Sequence, residues 1–287
     1  MATHAPGRRD RRGMTLVEII VSLTLFALVL AIGAMTSQRL LTVQAATAVR
    51  SARTSATLDA LETLRRHVAG AQVARGDLRV ARDTALELLH TIGVVTVCRI
   101  RHDTLTIATA HDSLPWAGSL PRAVTPDDRV RIWRDGAGEW TDARILTVAA
   151  AAGACGDSAA HTTDRASQRL VLDHAPASVR PGALIRVLQR ERWSLLRSGD
   201  GSWSLALAIW DAARNRFSVP QPLVAPLAAA GARGGAGFEV RAIDAAGAAI
   251  TDTLYARTAA VVAVLRTARH ARLGTFTDSV RIHVATP

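Results

Sequence analysis

At 287 residues with a formal net charge of +11, the chain is strongly basic. Arginine supplies all 35 basic residues and lysine is absent, which together with the alanine richness is the mark of a GC-rich coding sequence rather than of a nucleic-acid partner. Net charge speaks to solubility and non-specific binding, not to fold, and two distant cysteines fall short of the ligands a metal site needs.

The first element is a basic segment, residues 1–13, which holds Arg8, Arg9, Arg11 and Arg12 against Asp10 and ends at Gly13. It contributes +3, so the remainder carries +8. Then comes Met14–Thr15–Leu16–Val17–Glu18, followed by an uncharged run from Ile19 to Met35 with no proline between Met14 and Gln38. About 20 apolar residues suffice for a helix to cross a bilayer, and the arginines assign the N-terminal end to the cytoplasm. Glu18 is the anomaly. An ionisable group at the head of a membrane span is costly and marks a functional position. A secretory signal has a shorter core and a small-residue cleavage site after it. A twin-arginine signal finds no support beyond the arginines themselves. A plain anchor leaves the spacing of Gly13 and Glu18 without a reason.

That constellation resembles the N-terminal signal of type IV pilins and pseudopilins, with Met14 where phenylalanine is commoner. The resemblance implies cleavage after Gly13 by prepilin peptidase, methylation of the new amine at Met14, and a role for Glu18 in assembly. Glycine lets an extended backbone enter a protease cleft, and the leader arginines hold the scissile bond at the anionic membrane face. In a filament, Glu18 of one subunit would meet the Met14 amine of its neighbour, where an unpaired charge is expensive.

Beyond the membrane segment, residues 39–76 are predicted to continue as an amphipathic helix. Leu58, Leu61, Leu64 and Val68 form a stripe at three- and four-residue spacing, and Gly70 and Gly76 are candidate stops. After Gly76 the period changes to two. Val130 and Ile132 alternate with Arg129 and Arg131. Trp203, Leu205, Leu207 and Ile209 alternate with Ser204, Ala206 and Ala208, and Val280, Ile282 and Val284 with Arg281 and His283. Half-buried antiparallel strands carry this pattern. Further strands are expected at residues 86–91, 93–98, 105–109, 145–149, 183–196, 238–243 and 259–266, with turns at Asp135–Gly136 and Asp200–Gly201. Residues 225–237, almost wholly Ala, Gly, Pro and Arg, read as a flexible loop. The predicted class is therefore α+β: a long N-terminal helix packed on an antiparallel sheet.

Cys98 ends one strand-like run, and Cys155 lies among glycines in a loop. An even count in an oxidising compartment favours a disulfide, with two unrelated thiols as the other reading. No catalytic constellation is present: the histidines are scattered, and neither a phosphate loop nor a nucleophile elbow occurs. His102–Asp103 and His111–Asp112 read as loop pairs, and Asp127–Asp128 lacks the oxygens calcium needs. Arg186, Arg190 and Arg192 share a strand face, joined by Arg129 and Arg131. With interleaved tryptophans that face would suit DNA, but a solvated face is the commoner meaning.

The segments 190–196 and 203–207, and the pair 260–265 and 279–284, resemble minor pilins of the PilW type and the J-type pseudopilin of type II secretion. The organisation expected is a leader (1–13), a transmembrane and filament-core helix (14–38), its amphipathic continuation (39–76) and a periplasmic β-rich head (77–287). The chain reads as a minor pilin-like subunit of a type IV pilus, anchored in the inner membrane and assembling at the initiation or tip complex. Its alternatives are a type II secretion pseudopilin and a DNA-uptake pilin. No enzyme activity, cofactor or metal is expected. The partners expected are prepilin peptidase, other pilins and the membrane, without nucleic acid.

Overall fold

The computed structural model describes residues 15–108, 120, 123–126, 128–151, 155, 167–211, 213–251, 255–269 and 275–284. Gly13, Met14 and the leader lie outside the described residues, as do Thr109, His111, Asp112 and Asp127. The chain divides into two compact units, Met1–Ala52 and Arg53–Pro287. Helix α1 (Leu16–Ala69) makes up the first unit from Leu16 onward and gives its last turns to the second.

Within the second unit α1 buries Thr57, Ala60, Leu61, Leu64 and Val68, a stripe at helical spacing. Leu58, expected on that stripe, is exposed. Thr57 is buried in its place and satisfies its hydroxyl by donating to the Arg53 carbonyl at 2.9 Å. The helix stops at Ala69, directly before Gly70, the first of the two candidate stops, and does not run on to residue 76. Its hydrogen-bond ladder breaks because the Ala71 N–H turns to the Val68 carbonyl and the Gln72 N–H is captured by Asp77 Oδ2 at 2.7 Å. A 3-10 turn, Val73–Arg75, follows, and Gly76 closes it at φ +77°, where any side chain would be strained.

The strands are β1 (Leu78–Arg82), β2 (Ala85–Arg101), β3 (Thr104–Ala108), β4 (Arg129–Arg134), β5 (Glu139–Ala150), β6 (Ser167–Leu172), β7 (Leu184–Arg197), β8 (Trp203–Asp211), β9 (Arg216–Phe217), β10 (Gln221–Leu227), β11 (Phe238–Ile243), β12 (Ala260–Arg266) and β13 (Thr277–His283). All the pairings are antiparallel, so the α+β expectation holds. The two runs expected at 86–91 and 93–98 are one strand, β2, with a register shift between Thr91 and Gly93.

The larger sheet follows the path β1-β2-β3-β6-β5-β4-β7-β8-β10, and β2 also pairs with β7. That extra pairing closes β2, β3, β6, β5, β4 and β7 into a ring, a small barrel filled by alternate residues of each strand: Val95 and Val97, Leu105 and Ile107, Leu170 and Leu172, Ala143 and Ile145, Val130 and Ile132, Ile185 and Val187. The N-terminal half of β2 and the C-terminal half of β7 leave the ring and run with β1, β8 and β10 as an open sheet. A second core lies between that sheet, the end of α1 and the three-stranded sheet β11-β12-β13, and includes Leu64, Leu86, Leu88, Trp193, Leu205, Phe238 and Val261. Barrel closure was not anticipated from the sequence. Cys98, near the end of β2, is disulfide-bonded to Cys155.

Three further expectations change. Arg131, read as outward-facing, is 1% exposed. Ser204, Ala206 and Ala208, read as the solvent face of β8, are buried, so that strand is covered on both sides. Residues 225–237 are not a free linker. The first three belong to β10, whose Pro222 and Pro226 interrupt its ladder, and the rest folds in hydrogen-bonded turns. The Gly237 N–H donates to the Ala228 carbonyl and its own carbonyl accepts from Arg266. A Cβ on Gly237 would stand 2.4 Å from the Ala228 oxygen.

Candidate functional site

The helix opens on a reciprocal cap. The Thr15 N–H donates to Glu18 Oε2 at 3.1 Å and the Glu18 N–H donates to Thr15 Oγ1 at 3.3 Å. This is the capping box, a Ser/Thr followed three residues later by Glu, and it holds the carboxylate at the positive end of the helix dipole. Glu18 thus has a local partner in the single chain, which the sequence pattern Thr15-x-x-Glu18 announces. The cap places the carboxylate three residues beyond Thr15, on the first turn.

From Leu16 to Val49 the large apolar side chains of α1 are exposed, among them Leu23, Phe26, Leu30 and Met35. Among the described residues, α1 is the helix long and apolar enough to cross a membrane. Its apolar part is an uncovered surface in water, and about 20 such residues match the thickness of a hydrocarbon core.

The arginine face is partly engaged from within. Arg190 donates to Glu87 at 2.5 Å and lies over the Trp210 ring at 4.3 Å. Arg192 donates to the same carboxylate at 2.9 Å and lies over Phe217 at 4.2 Å, while Arg186 covers Trp140 at 4.7 Å. Such stacking and pairing competes with phosphates for these guanidinium groups. A cleft of about 240 Å³ next to them is lined by Arg79, Asp128, Arg129, Arg144, Arg190 and Trp210. Burial and then repulsion from Arg129 and Arg190 lower the Arg79 pKa. DNA binding by the detergent-solubilised chain is therefore expected to be weak and to vanish between roughly 50 and 200 mM salt, as for phosphate contacts alone. A mobility-shift series across salt checks this, and tight binding that persists and weakens in Arg190→Ala would contradict it.

Arg131 anchors a buried polar node. It reaches Asp77 through both terminal nitrogens, at 2.8 and 2.7 Å, Asp142 at 2.6 Å and Gln72 at 3.0 Å. Burial works against its charge, but the hydrogen bonds to Asp77 and Asp142 outweigh that and raise its pKa. The node ties β4 and β5 to the segment that follows α1.

A second cluster escaped sequence reading because its members stand 23 and 101 residues apart in the chain. His67 of the last turn of α1, His90 of β2 and Glu191 of β7 each bring a donor atom within 4.8 Å of the others. The imidazoles stack with centroids 3.6 Å apart. His67 Nδ1 is 2.8 Å from Glu191 Oε1, which also accepts from the Trp193 indole at 2.9 Å. His90 Nδ1 is 3.8 Å from Oε2. Burial, opposed by Glu191 and assisted by His67, pushes the His90 pKa down to about 4.

The family model described as the prokaryotic N-terminal methylation motif matches residues 8–34. The match spans Gly13, Met14, Glu18 and most of the apolar run, and supports a type IV pilin-like protein. The motif implies processing by prepilin peptidase and assembly with other pilins, and with the apolar helix it fits anchoring in the inner membrane. No curated protein and no solved structure matches the chain.

Proposed function

We propose that the chain is a minor pilin-like subunit of a type IV pilus, resident in the inner membrane with its β-rich head in the periplasm and drawn into the filament at the initiation or tip complex. One observation carries the reading: a methylation motif at residues 8–34 runs directly into a helix whose apolar side chains have no cover in the single chain. A helix of that kind is stable only in lipid or against other apolar helices. The antiparallel pairings of β7 with β8 and of β12 with β13 are what supports the PilW-type reading over other pilin-like subunits. In this reading the chain catalyses nothing; its work is assembly.

Assembly requires Glu18 to exchange its Thr15 cap for the amine of a neighbouring Met14. Mass analysis of the purified protein is expected to show loss of residues 1–13 and a methylated amine. Glu18→Ala is expected to be cleaved normally yet to enter filaments at least about tenfold less, since a buried cation left unpaired costs several kcal/mol. An intact leader in a peptidase-competent host would refute the processing step, and wild-type incorporation of Glu18→Ala would refute the pairing. The pseudopilin of type II secretion shares these features. Loss of surface pili, with exoprotein export intact, in a deletion strain separates the two.

A further inference from the structure

We propose that His67, His90 and Glu191 form a binding site for a divalent transition-metal ion of the zinc class, which fastens the last turn of α1 to the open sheet. The three residues come from three elements. On the β2–β7 ladder His90 stands opposite Gln189 and Glu191 opposite Leu88, so both belong to the face that buries Leu86, Leu88 and Trp193. That face meets α1 through Leu64 and Val68, and His67 completes the set from the helix.

The protein's own contacts leave this cluster incomplete. Glu191 is 3% exposed at its side chain, yet hydrogen bonds from the described residues reach only Oε1. Oε2 faces His90 at 3.8 Å, beyond hydrogen-bond reach, and none of the described residues hydrogen-bonds the His90 ring. A metal bridges such a gap. Two ligand atoms each about 2.0–2.1 Å from zinc stand about 3.3 Å apart at the tetrahedral angle, so with Oε2 as the carboxylate ligand its 3.8 Å contact with His90 Nδ1 closes by roughly half an ångström, while His67 Nδ1 exchanges Oε1 for the metal. The rings tilt out of their stack as this happens, and each carries its proton on Nε2 once Nδ1 binds metal.

The donor set favours zinc and its neighbours over magnesium or calcium, because imidazole suits the former and the latter take oxygen ligands. The side chains of His67 and His90 remain 18% and 22% exposed, which gives the ion an entry path and a water the fourth position. The Trp193 indole on Oε1 holds the carboxylate in orientation, as outer-shell donors do for metal ligands.

The test uses the full-length chain in detergent, freed of metal by a chelator and titrated with zinc chloride alone. One saturable site per chain is expected, with a thermal midpoint that rises by several degrees on zinc addition and falls back with EDTA. Cobalt(II) in place of zinc is expected to give the visible bands of a tetrahedral site. His90→Ala is expected to weaken zinc binding by about 100-fold or more, and Trp193→Phe by about 10–100-fold. Zinc uptake by a folded His90→Ala variant equal to the parent's would overturn the site. Should that variant fail to fold, the parent protein decides: neither a zinc-dependent midpoint shift nor cobalt bands would overturn the proposal equally.

Discussion

Arg131→Ala is expected to destabilise the unit Arg53–Pro287 by about 3–5 kcal/mol, the usual cost of breaking a buried ion pair from one side. Asp77 is 1% exposed and receives two of its hydrogen bonds from Arg131. With the guanidinium gone, the Gln72 N–H is the donor left to it among the described residues, and a largely unpaired carboxylate has to be buried or to take up a proton. Replacing both partners tests the cause. Arg131→Met combined with Asp77→Asn removes both charges and is expected to recover most of the loss, because neutral residues of similar volume avoid the desolvation cost. Thermal unfolding followed by near-ultraviolet circular dichroism reads the difference, with Trp193 as a buried reporter. A loss below about 1 kcal/mol for Arg131→Ala would mean the node relaxes to admit water.

Removing the disulfide is expected to cost nearly as much. Cys98 and Cys155 are 57 residues apart, and closing a loop of that length restricts the unfolded chain by about 4 kcal/mol in the chain-entropy account. Paired replacement by serine, Cys98→Ser with Cys155→Ser, is expected to lower the denaturation midpoint accordingly, as is reduction of the parent chain. Alkylation of the folded parent is expected to find no free thiol. Labelling of both cysteines under non-reducing conditions, or equal midpoints for the two chains, would contradict this account.

Much of the fold was legible because its signals are local. Apolar spacing located the buried turns of α1, and strict alternation located β13, where Val280 and Ile282 turn inward while Arg281 and His283 stay outside. Asp200–Gly201 marked the β7–β8 turn, in which Gly201 has φ +83°. Barrel closure was not legible, since a strand alternates in the same way whether its neighbour belongs to an open sheet or a ring. Arg131 misled for a related reason. Parity placed it opposite Val130 and Ile132, away from the barrel interior, but that outer side is covered by the segment carrying Asp77, 54 residues earlier. The Thr15–Glu18 cap went unread although its signal is local, whereas the His67, His90 and Glu191 cluster had no signal to read, because no spacing rule joins residues brought together by tertiary packing alone.

The last strand on the path of the larger sheet, β10, carries Pro222 and Pro226. Neither has an N–H to offer an incoming strand, and the Pro226 carbonyl is already taken by the Ala268 N–H. An edge interrupted at these positions is a poorer template for β-sheet growth from one molecule to the next. Where many copies are held at high local density, zipping of backbones along this border is disfavoured at both prolines, by covalent structure rather than by charge.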